Sequence, residues 1–194
     1  MGLPKLSPQD PNRSFDPGLS PGNYPILEAA LTPSNDPDSF PEGFVGRGRR
    51  RAVLIGINYF GQRGELQGCV DDVKNMSAYL SQAFGYPREN MVTLTDDQYG
   101  LHSQPTKANI LRAMHWLVQD ARPSDVLFFY YSGHGGQALG DDGGEGNRDQ
   151  VIYPVDFRAD GVIQGEELHR IMVKSLAPGV GLTIMIDTRH HLDV

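Results

Sequence analysis

Four short apolar runs, each followed by polar or turn-forming residues, recur along the second part of the chain. They cover residues 52–57, 91–94, 126–131 and 182–186. Continuous apolar runs of this length are typical of strands that are buried on both faces of a parallel sheet. The pattern therefore predicts four parallel strands.

Between these runs, apolar residues recur at the helical spacing of three or four positions. The apolar face of the first predicted helix is formed by Val73, Met76, Leu80 and Phe84. Gly85 follows that helix and suits a left-handed C-cap. A second helix is predicted to open at Pro105-Thr106, and a third covers residues 166–173. Strands that alternate with helices predict an α/β fold, whose functional residues lie at the carboxyl ends of the strands.

Two predicted strands lead directly into residues that can carry chemistry. The run 126–131 continues into Ser-Gly-His-Gly-Gly, which places His134 in a predicted turn of small residues. The run 182–186 continues into Asp187. Because carboxyl ends of parallel strands share one sheet edge, we expect both side chains there, beside the segment after Ile57. A histidine so placed suits general acid–base catalysis, and a structural histidine in a tight turn is the alternative.

Composition narrows the class of partner and compartment. The net charge of -7 argues against nucleic acid or an anionic membrane as the main partner. No apolar run approaches the roughly 18 residues that a membrane span needs, and no signal peptide is expected. The single cysteine, Cys69, excludes an internal disulfide framework and favours a reducing compartment, the cytoplasm or the nucleus.

The amino-terminal part of the chain differs in composition from the rest. Nine of the fourteen prolines lie in the first 41 residues, among Ser, Asn, Asp and Gly, which bury little apolar surface. We predict a disordered leader or prodomain over residues 1–46 and a folded domain over residues 47–194. A plain flexible tail and a regulatory prodomain explain the leader equally well.

Four motifs carry a resemblance to a known family. They are LQGCVDD at 66–72, YSGHGG at 131–136, VIYPVD at 151–156 and IMID at 184–187. In this order and spacing they resemble the large, p20-type half of a type I metacaspase, in the caspase-like clan of cysteine peptidases. The resemblance covers roughly residues 50–187.

This resemblance carries implications for both fold and activity. It implies a caspase-like three-layer sandwich with a mainly parallel sheet, of which the first four core strands are present and the remaining strands are missing. It also implies cleavage of protein substrates after Arg or Lys, calcium activation, autoprocessing, and a role in cell death, stress or proteostasis.

The resemblance assigns a histidine but no nucleophile. His134 matches the family's catalytic histidine, and Gly135 is a candidate oxyanion donor. The family's nucleophilic cysteine stands where this chain has Arg189, whose guanidinium stays protonated and cannot attack a carbonyl. We therefore expect this chain to be inactive alone. A truncated gene model, a splice form and a pseudoenzyme that binds basic peptides as a scaffold or decoy all remain open.

Four further residues resemble the family's acidic specificity pocket: Cys69, Asp72, Ser132 and Asp187. Carboxylates suit such a pocket because a guanidinium or ammonium group removed from water needs charged acceptors. For Asp72 the alternative is a carboxylate stabilised by a helix N-terminus, and for Cys69 a small buried apolar residue. An unrelated nucleotide-binding domain is disfavoured, because no Gly-x-Gly-x-x-Gly or Walker loop follows the first predicted strand.

A glycine- and aspartate-rich loop at 139–149 offers oxygen ligands of the kind that Ca²⁺ prefers, without EF-hand spacing. By resemblance Asp149 matches a calcium ligand, and Glu166 is the one residue of the second acidic cluster able to substitute. We expect calcium binding that is weak or lost. The apolar strand 182–186 is expected to be an exposed edge through which the chain self-associates.

Overall fold

The computed structural model describes residues 48–139 and 148–191. Its strands are β1 (Arg50–Gly56), β2 (Met91–Thr95), β3 (Val126–Leu139), β4 (Arg148–Ile152), β5 (Ile163–Gln164) and β6 (Gly181–His191). Its α-helices are α1 (Cys69–Phe84), α2 (Lys107–Val118), α3 (Phe157–Asp160) and α4 (Gly165–Met172), and a 3₁₀ turn, Arg88–Asn90, precedes β2. The predicted leader 1–46 lies outside the described residues, as does the loop segment 140–147.

The core of the sheet is parallel, in the order β2-β1-β3-β6. Val53 of β1 lies beside Phe129 of β3, which in turn lies beside Ile184 of β6. The four predicted strands are therefore confirmed. The sequence analysis did not predict β4 and β5, which pair antiparallel with the second half of β3 and with each other.

Helices cover both faces of this sheet, as the predicted three-layer sandwich requires. Leu54 and Tyr130 point to one face, where they form a cluster with the apolar residues of α1. Val53 and Phe129 point to the other face, where they pack with α2 and α4. The alternation follows from the two-residue period of a strand. None of the helices in the described ranges combines the length and apolarity that a membrane crossing requires.

Both predicted helix caps are confirmed. The Thr106 hydroxyl accepts a hydrogen bond from the Asn109 amide at 3.3 Å and so begins α2. Gly85 adopts φ 63° after α1, a left-handed conformation that favours glycine.

The predicted turn around His134 is wrong, because β3 continues through it to Leu139. A turn was expected because glycine is the commonest turn residue. Here the glycines instead allow close approach of neighbouring elements. A Cβ atom at Gly135 would overlap the side chain of Thr188, and one at Gly133 would lie 2.6 Å from the Tyr131 hydroxyl. His134 therefore lies within the sheet.

Asp125 fixes the start of β1 and is only 4 % exposed. Its carboxylate accepts hydrogen bonds from the Arg49 amide at 2.8 Å, the Arg122 amide at 3.0 Å and the Arg49 guanidinium. Burial raises the pKa of Asp125, but these amides and the guanidinium lower it more, so its pKa falls below the ordinary value. Arg49, which directly precedes β1, is thus bound to Asp125.

Asp125→Ala is expected to lower the free energy of unfolding by about 2 kcal/mol at pH 7, because several hydrogen bonds to a charged acceptor are lost. A lowered folded-state pKa stabilises the fold above the ordinary aspartate pKa and loses that effect as pH falls through the folded-state value. The difference from wild type should therefore shrink below about pH 4 in urea denaturation. Asp71→Ala, at a side chain 75 % exposed, is the control and should have little effect. An Asp125→Ala loss that is unchanged in acid would contradict this account.

Candidate functional site

A row of side chains lies at the carboxyl edge of the parallel strands, on the face covered by α1. Ser132 is fully buried, and its hydroxyl donates to the Asp72 carboxylate at 3.2 Å. Asp187 is the register partner of Ser132 on β6, and register partners in a parallel pair point to the same face. Asp72 and Asp187 are both half-buried. The structure therefore brings together the three polar residues of the predicted acidic pocket.

The first turn of α1 explains how Asp72 reaches this edge. The Asn58 side-chain oxygen accepts hydrogen bonds from the amides of Cys69 at 3.0 Å and Val70 at 3.4 Å. Asn58 therefore satisfies the free amides of the helix N-terminus that the preceding Gly68 leaves uncapped. Asp72 lies in that same first turn, so the helix-dipole role considered above is compatible with a role in the pocket.

Cys69 is a buried residue at the start of α1 and belongs to the same core cluster as Ile57 and Tyr59. The residue is fully buried at the start of α1, and its backbone carbonyl lies against Gly56 of β1, where a Cβ atom would approach to 2.5 Å. Thiol chemistry requires access to substrate and a thiolate. This burial supports the interpretation of Cys69 as a small apolar residue of the core.

His134 lies two residues beyond Ser132 on β3 and is 2 % exposed. Its Nε2 atom is 2.6 Å from the backbone carbonyl oxygen of Gly64. A carbonyl can only accept, so Nε2 carries a proton, and in the neutral imidazole Nδ1 is then the acceptor. A histidine fixed in this tautomer can take a proton at Nδ1 from a nucleophile and return it to a leaving group.

Two buried tyrosines that the sequence analysis did not single out hold the backbone of His134. The Tyr131 hydroxyl donates to the His134 carbonyl at 2.7 Å, and the His134 amide donates to the Tyr59 hydroxyl at 3.1 Å. Burial raises the pKa of both tyrosines well above the ordinary value, so both hydroxyls keep their protons. Tyr131 directly precedes Ser-Gly-His in the sequence, and this position could have indicated its role.

The pairing of β3 with β6 is irregular beside His134. Gly133 pairs with Thr188 and Gly135 pairs with His191, so the two residues Arg189 and His190 of β6 lie opposite His134. One extra residue in a strand is a β-bulge, a feature found beside active sites. Gly135, the candidate oxyanion donor, is also paired with Ile152 of β4. Arg189, which the resemblance aligns with the family's cysteine, therefore lies on the strand next to His134.

The two candidate calcium ligands lie apart from this edge. The Asp149 carboxylate accepts a hydrogen bond from the Glu166 amide at 3.0 Å and so caps the start of α4. Among the residues that the structure describes, no group of three or more His, Cys, Asp or Glu side chains could hold a metal ion. The remainder of the acidic loop lies outside the described residues.

Comparison with known proteins identifies the family. Residues 50–194, more than half of the chain, match the family described as the metacaspase, peptidase C14 domain. The chain belongs to the metacaspase family. It is 70% identical over 145 residues to Metacaspase-1 of Ajellomyces capsulatus, which covers 74% of this chain and 40% of that protein. It is 60% identical over 179 residues to Metacaspase-1A of Aspergillus niger, covering 87% of this chain and 44% of that protein.

The metacaspase chain therefore spans less than half the length of these curated relatives. A solved structure with a similar fold is protein GSU0716 from Geobacter sulfurreducens, at a TM-score of 0.58 and 23% identity, covering 73% of this chain and 51% of that chain. At this identity the likeness concerns the fold alone. The mainly parallel sheet with helices on both faces confirms the caspase-like architecture.

Proposed function

We propose that this metacaspase chain binds peptides with Arg or Lys at the position before the scissile bond, and that it does not cleave them by itself. The observation that carries the proposal is the carboxyl edge of the sheet. There, the Asp72 carboxylate lies 3.2 Å from the Ser132 hydroxyl, Asp187 lies beside Ser132, and His134 follows on the same strand.

The chemistry of the pocket favours a cationic side chain. Two half-buried carboxylates on one face attract a cationic ligand more strongly than a neutral one. A guanidinium can donate to both carboxylates, and the Ser132 hydroxyl holds Asp72 in place. A lysine ammonium offers the same charge as a point and should bind more weakly.

The proposal of binding without cleavage rests on Arg189. The chain supplies His134, which would move a proton. The facing residue on β6 is Arg189, whose guanidinium cannot act as a nucleophile. A scaffold or decoy for basic peptides is the function that this combination favours.

We further propose weak or no calcium binding, because the Asp149 carboxylate caps α4. We also propose a cytoplasmic or nuclear location, because the single thiol is not part of a disulfide.

Isothermal titration with two peptides that differ only at one residue tests the binding. An arginine peptide is expected to bind at least about tenfold more tightly than its norleucine counterpart, since a charge-assisted pair is worth about 1.5–3 kcal/mol. The preference should weaken with added salt because the pocket is only half-buried. Equal binding of the two peptides would remove the acidic pocket.

A further inference from the structure

We propose that Tyr59, held by Asp96, is a positioning residue that fixes the orientation and tautomer of the His134 imidazole. The inference deepens the proposed function, since it concerns the histidine of that same site. The Tyr59 ring packs on the His134 ring, with centroids 4.6 Å apart and planes tilted by 41°. Tyr59 is 1 % exposed, so this contact is shielded from water.

The hydroxyls of Tyr59 and Tyr131 satisfy the main-chain groups around His134. Tyr59 donates to the Tyr153 carbonyl at 2.6 Å and accepts from the His134 amide at 3.1 Å. Tyr131 donates to the His134 carbonyl at 2.7 Å and accepts from the Tyr153 amide at 3.2 Å. Each hydroxyl has one proton to donate, and this assignment uses each proton once. Together they fix the backbone of His134 on both sides of the side chain.

These hydrogen bonds lie at an irregular point of the sheet. The register between β3 and β6 breaks between Gly133 and Gly135, at His134 itself. A bulge disrupts the regular ladder locally. The hydroxyls of Tyr59 and Tyr131 add hydrogen bonds to the His134 backbone at this irregular point.

Asp96 sets the conformation that brings Tyr59 to His134. Tyr59 has φ 55°, and within the described ranges it is the one aromatic residue with a positive φ. Bulky residues rarely adopt this conformation, and an outlier of this kind often marks a functional site. The Asp96 carboxylate accepts hydrogen bonds from the Tyr59 amide at 2.6 Å and the Asn58 amide at 3.0 Å. It therefore stabilises the loop that continues to Gly64, the acceptor of the His134 ring.

Long-range ¹H–¹⁵N NMR of the full chain at pH 7 measures the ratio of the two His134 tautomers, with the signals assigned by their loss in His134→Ala. Wild type is expected to show mainly the form protonated at Nε2. Tyr59→Phe keeps the ring and removes the hydroxyl, and it should change the ratio by about fivefold towards a mixture, as the loss of one hydrogen bond predicts. Asp96→Asn should change the tautomer ratio in the same direction, because it weakens the loop that runs from Tyr59 to Gly64.

Tyr86→Phe is the matched control, because Tyr86 is also buried, with its pKa raised to about 12 by burial, but packs in the other core cluster. It should leave the ratio unchanged. If Tyr59→Phe and Asp96→Asn lower the melting temperature but leave the tautomer ratio at the wild-type value, their role is structural and the proposal is wrong. If Tyr59→Phe does not fold, the Asp96→Asn ratio decides. If wild type does not bind the arginine peptide but Tyr59→Phe shifts the tautomer ratio, the proposed function is wrong and this inference stands.

Discussion

The 194-residue chain is expected to release no product from peptides that contain arginine or lysine, with or without calcium. The structure places Arg189, which the resemblance aligns with the family's cysteine, in the segment of β6 opposite His134. A guanidinium cannot donate an electron pair to a carbonyl carbon. In a serine peptidase, removal of the nucleophile lowers kcat by about a millionfold, and a loss of that size leaves nothing above background.

The assay is mass spectrometry of an arginine peptide after prolonged incubation with protein at micromolar concentration. His134→Ala provides the baseline, and wild type should not exceed it. Cys69→Ala should match both, because Cys69 is fully buried. Turnover that is abolished in Cys69→Ala would contradict the account and would show that this thiol acts as the nucleophile.

Self-association through β6 is the second large effect that we expect. β6 pairs with β3 along one side, and in the described part of the chain no strand pairs with its other side. Ile184 and Ile186 point to the same face and are 38 % and 44 % exposed. An apolar strand with an open edge and no proline is a template for pairing with a second copy.

Ile184→Lys should therefore raise the monomer fraction in analytical ultracentrifugation at micromolar concentration, since a charged side chain on an edge opposes pairing. Tyr79→Lys is the matched control, with the same charge change at a residue 39 % exposed on α1. Met185 is unsuitable for such a test, because it packs against the cluster of Leu54 and Tyr130. A stable wild-type monomer, or equal improvement by Ile184→Lys and Tyr79→Lys, would count against association through this edge.

Local signals in the sequence predicted the parallel core and the helix ends. Thr106 and Gly85 act as caps through contacts within a few residues, so their effect is visible in the sequence. The apolar runs specified the strands because a strand buried on both faces needs apolar residues throughout. The expectation that His134 and Asp187 lie at one edge of the sheet followed from the same pattern.

The environment of His134 could not be predicted in the same way, because it depends on residues distant in the sequence. Glycines at 133 and 135 indicate a turn locally, and only the packing of Thr188 and Tyr131 against them shows why the strand continues. The left-handed conformation of Tyr59 likewise depends on a carboxylate 37 positions away. Asp96 does follow a predicted strand as Asp187 does, so the same reasoning could have indicated it.

A double-mutant cycle tests the central claim, that Asp72 contacts the basic residue of a bound peptide. Dissociation constants are measured for wild type and Asp72→Asn, each with the arginine and the norleucine peptide. The account predicts that the preference for arginine falls by about tenfold or more in Asp72→Asn, a coupling energy of about 1.5–3 kcal/mol. It also predicts that the preference persists in Asp71→Asn. Asp71 directly precedes Asp72, and its side chain is 75 % exposed. An arginine preference that is unchanged in Asp72→Asn, or reduced equally in Asp71→Asn, would contradict the claim.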